Sequence, residues 1–129
     1  MSEHTVLKLI KQADQAITNE DFDRLMSFYA EDAVLVVQPG QIARGKAQIR
    51  RAFNAIARHF QHRLTVHQGR AHVFEGAGTA LVIMETQLFI GDAKTPVTRR
   101  ATYVFREDPA DGWLCTIDNS YGTDLLDAA

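Results

Sequence analysis

Residues Thr79 to Ile90 read TALVIMETQLFI, with neither glycine nor proline and several β-branched side chains. Such a run favours a strand over a helix. Its even positions are Ala80, Val82, Met84, Thr86, Leu88 and Ile90; its odd positions are Leu81, Ile83, Glu85, Gln87 and Phe89. Both faces are largely apolar, so a sheet built around this strand needs cover on both sides. Helices can cover one face. A second copy of the chain is the simplest cover for the other, which predicts a homodimer through the sheet.

The flanking segments supply the helices and more strands. Val6, Leu9, Ile10, Ala13 and Ile17 recur at helical spacing behind Ser2, a plausible N-cap. Phe22, Leu25, Met26 and Tyr29 form a second short stripe after Asp21. Ala33 to Val37 reads as a strand stopped by Pro39-Gly40, and a third helix starts near Gly45, with Ile49, Ala52, Phe53, Ile56, Ala57 and Phe60 as its apolar face. The period then changes. Strands are expected over 64–75, with a bulge at Gly69, and over 79–90, 95–107 and 113–121, joined by short turns. Helices first and strands afterwards specify an α+β fold with an antiparallel sheet covered by helices on one face. At 129 residues the chain reads as one domain, 1–129.

Composition excludes several function classes. The formal charge of −2 offers no basic field for nucleic acid or an anionic membrane surface. Arg44, Lys46, Arg50 and Arg51 cluster at the start of the third helix, where a solvated face is the simpler account than a phosphate site. Apolar runs reach five residues, far short of the roughly 20 a membrane helix needs, and Met1 to His4 has no leader character, so a cytoplasmic location is expected. Cys115 is a lone cysteine on an apolar strand and reads as a small buried hydrophobe. His59, His62, His67 and His72 lack converging acidic or sulfur partners, so no metal is expected. Gly76-Ala77-Gly78 lacks the third glycine of a dinucleotide site, and no serine stands between the glycines of a nucleophile elbow. No cofactor is expected.

Phe28-Tyr29-Ala30-Glu31-Asp32-Ala33-Val34, then Pro39-Gly40, then Gly45 opening a helix to Phe53, resembles the nuclear transport factor 2-like superfamily, in particular its ketosteroid isomerase-like and SnoaL-like branch. Arg100, Tyr103-Val104-Phe105-Arg106, an Asp-Gly turn and Trp113 fit the same group. The segment Thr18 to Asp23 and the pair Thr86-Gln87 are also similar to the association domain of calcium/calmodulin-dependent kinase II. The resemblance implies a cone: a curved antiparallel sheet wrapped around three helices and enclosing a pocket. It implies either a small-molecule-binding protein with acid–base chemistry of isomerase, cyclase or dehydratase type, or a non-catalytic association module. The resemblance places the catalytic positions of ketosteroid isomerases on Val37, Ala13 and Thr102; a valine cannot carry a proton, an alanine cannot donate to an enolate and the second acid is replaced by a threonine, so steroid isomerisation by that mechanism is not expected.

A turn at Asp92-Ala93 would set Glu85 opposite Arg100, Gln87 opposite Thr98 and Ile83 opposite Thr102. The resemblance assigns this face to the pocket. The expected site is therefore Glu85 as base, with Gln87, Arg100, Thr102, Asn119, Tyr121 and Val37 as ligand contacts. The alternative is a plain cross-strand ion pair between Glu85 and Arg100.

Overall fold

A computed structural model describes residues 3–127. Helix α1 (Thr5–Asn19) and the short α2 (Phe22–Met26) lead into a hairpin of β1 (Tyr29–Gln38) and β2 (Gln41–Arg44). Helix α3 (Gly45–His59) follows, then the meander β3 (Leu64–Gly76), β4 (Thr79–Ile90), β5 (Val97–Asp108) and β6 (Gly112–Asn119). A 3-10 turn spans Thr123–Asp127. The first helix is capped by His4, whose ring nitrogen accepts from the Val6 amide at 3.1 Å; the expected cap, Ser2, lies outside the described residues.

The six strands form one sheet in the order β2-β1-β6-β5-β4-β3. All pairs are antiparallel except β1 with β6, which run parallel. The purely antiparallel expectation fails there because the returning meander docks its last strand beside β1 in the same direction. The expected bulge is present, between Gln68 and Ala71. Helix α1 presents Val6, Ile10, Ala13 and Ala16 to the sheet, and α3 presents Ile49, Phe53 and Ala57. They meet a concave face built from Ala80, Val82 and Met84 on β4 and Ala101, Tyr103 and Phe105 on β5, all buried.

The register between β4 and β5 is the expected one, with Glu85 opposite Arg100, Gln87 opposite Thr98 and Ile83 opposite Thr102. The face assignment is not. Even positions of β4 point to the helices, and Leu81, Ile83, Glu85 and Gln87 lie on the outer, convex face. Placing two charges under the helices would require desolvating both, whereas the even set brings in one hydroxyl.

Candidate functional site

Between the helices and the concave face lies a cavity of about 950 Å³. Its walls are largely apolar, including Ile10, Leu35, Phe53, Ile56, Leu64 and Leu88. Gly40, Gln41, Ile42 and Arg51 line it and are solvent-exposed, so the mouth opens between the β1–β2 hairpin and α3. A hollow of this size with apolar walls and a few polar groups has the character of a small-molecule site.

Two carboxyls reach it. Asp118 stands on β6 between Tyr103 of β5 and Leu35 of β1 and is 4% exposed. Its Oδ2 accepts from the Tyr29 hydroxyl at 2.7 Å and its Oδ1 from the Ser120 hydroxyl at 2.8 Å. Burial pushes its pKa up to about 6, against the lowering effect of those two hydroxyls. Asp14, on α1, is 7% exposed and accepts from Gln68 Nε2 at 2.7 Å. Burial raises it to about 7, with the Gln68 hydrogen bond opposing and the charge of Asp118 adding to the rise. Burial likewise pushes the phenols of Tyr29 and Tyr103 well above their ordinary value. Both stay protonated as donors, Tyr29 beneath Asp118 and Tyr103 at the cavity wall. The result is a pair of carboxyls whose pKa values burial raises toward neutrality, beside a protonated phenol.

Of the expected site residues, Val37 and Tyr121 line the cavity. Glu85, Gln87, Arg100, Thr102 and Asn119 are not among its lining residues. Glu85 is held on the outer face by Arg70, whose Nε donates at 2.8 Å and whose second guanidinium nitrogen donates at 3.2 Å. That pairing with Arg70 lowers the pKa of Glu85, the reverse of what an acid–base role near neutrality needs. Gln87 lies between His67 and Thr98, and Thr102 between Ile83 and Asn119, on the same outer face. Asn119 Oδ1 accepts from the Gly122 amide at 2.9 Å and shapes the turn after β6. Arg100 sits opposite Glu85 and is exposed.

Sequence reasoning missed Asp14, Asp118, Tyr103 and Thr86. Asp14 had a legible signal: it follows Ile10 by four and precedes Ile17 by three, a carboxylate set inside an apolar stripe. Asp118 was hidden by a register shift. Phe105 pairs with Cys115 but Val104 pairs with Ile117, so Thr116 is an extra residue and inverts the alternation. Cys115 is buried as expected, Ile117 turns out and Asp118 turns in. Among the described residues no cluster of three or more metal-ligating side chains occurs, and no helix is long and apolar enough to cross a membrane.

A family model described as SnoaL-like domain matches residues 6–115. The chain belongs to the SnoaL-like domain family. Solved structures agree with the fold at low identity. A protein of unknown function with a cystatin-like fold from Nostoc punctiforme superposes with TM-score 0.80 at 15% identity, covering 92% of each chain. A candidate ketosteroid isomerase from Shewanella frigidimarina gives TM-score 0.72 at 13% identity, over 87% of this chain and 90% of the other. A candidate calcium/calmodulin-dependent protein kinase type II association domain from Thiobacillus denitrificans gives 0.68 at 23% identity, over 81% and 84%. A search of curated proteins finds no match. The SnoaL-like family and its nuclear transport factor 2-like neighbours thus account for the α+β cone; one fold of this kind carries many functions.

Proposed function

We propose that this SnoaL-like domain binds an apolar small molecule in the cavity and moves a proton on it, with Asp118 as base and Asp14, the carboxyl with the higher pKa of the two, as acid. The observation that carries the reading is the pair of buried carboxyls lining one apolar hollow, both held near neutrality by burial. A base with a pKa near 6 is mostly ionised at pH 7 yet still basic enough to abstract a proton next to a carbonyl. Tyr103, its phenol kept protonated, is the donor available to the resulting enolate oxygen. Val37 and Tyr121 contact the apolar body of the ligand. The test is deuterium exchange at the α-carbon of 2-tetralone in D₂O. Exchange above the buffer rate is expected, falling about 100-fold in Asp118→Asn. Exchange at the buffer rate, or an undiminished rate in the variant, contradicts the reading.

A second reading, self-association, is favoured by the outer face. Phe74, Leu81, Val104 and Ile117 form one row across β3, β4, β5 and β6, and Phe74 is 59% exposed. Ile83 lies one position further along the same face. The paired charges of Glu85 and Arg70 border this stripe. We propose that a second copy covers it; association and ligand binding use opposite faces and are compatible.

A further inference from the structure

On the concave face, Gln68, Thr86 and Arg99 form a row across β3, β4 and β5. Gln68 spends its amide on Asp14. The other two lack acceptors, and both line the cavity. Thr86 is 8% exposed and its Oγ1 has no hydrogen-bond partner among the described residues, its polar neighbour being the Tyr103 hydroxyl. A buried hydroxyl left unpaired is costly and in native folds usually signals a missing partner. The Arg99 side chain is only 29% exposed. Its guanidinium carbon lies 4.2 Å above the Tyr121 ring, and its nearest approach to Asp124 Oδ2 is 3.7 Å, too long for a hydrogen bond. Neither contact gives its five N–H groups an acceptor.

One wall of the hollow therefore carries an unpartnered buried hydroxyl beside a half-buried guanidinium whose nearest carboxylate oxygen stands at 3.7 Å. We propose that Thr86 and Arg99 form the head-group subsite of this cavity and that its ligand is a hydrophobic carboxylic acid, bound as the carboxylate. A planar carboxylate takes two parallel hydrogen bonds from a guanidinium and still has a lone pair for the hydroxyl. The apolar walls take the body of the acid. A phosphate ester fits less well, because a second negative charge would stand in the same hollow as Asp118.

This inference rests on the cavity being a ligand site but not on proton transfer, so its test is separate from the exchange assay. The probes are 2-naphthoate and octanoate, their neutral amides, and octyl phosphate, titrated calorimetrically at pH 7.5. Each carboxylate should bind about tenfold or more tightly than its amide. Arg99→Met should abolish that preference while leaving amide affinity unchanged, which also reports that the variant is folded. Thr86→Val, nearly isosteric, should weaken the carboxylates several-fold and spare the amides. Amides binding as tightly as acids, a preference that survives Arg99→Met, or tighter binding of octyl phosphate would overturn the carboxylate subsite while leaving the cavity reading intact. Failure of every acid and amide to bind would overturn both.

Discussion

At the scale of single residues, the chemistry turns on Asp14 and Asp118, whose environments oppose their charge. A carboxyl with a folded pKa above its unfolded value holds its proton more tightly in the folded state. Its stabilising contribution is complete below the unfolded value near 4 and is lost as pH rises through the folded value. The window is therefore about pH 4 to 7 for Asp14 and about pH 4 to 6 for Asp118. At roughly 1.4 kcal/mol per unit, Asp14 alone accounts for a loss on the order of 4 kcal/mol across its window. Urea unfolding should show stability falling between about pH 4 and 7 and levelling off above it. Asp14→Asn should flatten that fall and raise the midpoint at pH 8; an unchanged slope with a lower midpoint would contradict the assignment. Tyr29→Phe removes a donor from a buried carboxylate, so it should cost about 1–3 kcal/mol at pH 8 and less at pH 5, where Asp118 is more nearly neutral. Glu85→Gln should leave ketone exchange unchanged, since that side chain is tied to Arg70 outside the cavity.

At the scale of elements, two backbone features aim the site. The first is the extra residue at Thr116, which turns Asp118 inward. The second is Gly122, with φ at +90°, where an added Cβ would stand 2.4 Å from the Arg100 carbonyl oxygen. Both the conformation and the space exclude a side chain, so Gly122→Ala should destabilise by more than about 2 kcal/mol and displace Ser120 and Tyr121 from the cavity wall. Retained stability together with unchanged naphthoate affinity would show that this turn does not position the site. These features also explain what could be read in advance. Helix spacing placed α1 and α3, and the strand breaks at Gly76–Gly78 and Gly91 placed the β4 register, because those signals are local. The face of β4 was ambiguous from its own apolar residues. The deciding signal lay one strand away: Ala101, Tyr103 and Phe105 are apolar while Arg100 and Arg106 are charged, and the register couples that alternation to the even positions of β4. Asp118 required knowing about a bulge that no glycine or proline marks.

At the scale of the whole molecule, the sheet divides the protein into a wet-mouthed cup and an apolar back. The row Phe74, Leu81, Val104 and Ile117 is larger than scattered surface apolar residues and is rimmed by charge, which is the pattern of an interface. Ile83→Asp places a charge beside this row without touching the cavity. Light scattering should report a dimer for the unmodified chain and a monomer for the variant, with naphthoate affinity preserved; identical masses would remove this face from the interface. Whether the cup keeps two carboxyls within reach of neutrality is read by carbon-detected NMR titration of the aspartate side-chain carboxyls, with Asp14 and Asp118 assigned by loss of their signals in the Asn variants. Midpoints of about 7 for Asp14 and about 6 for Asp118 are expected. Two midpoints near 4, where a solvated aspartate titrates, would contradict it.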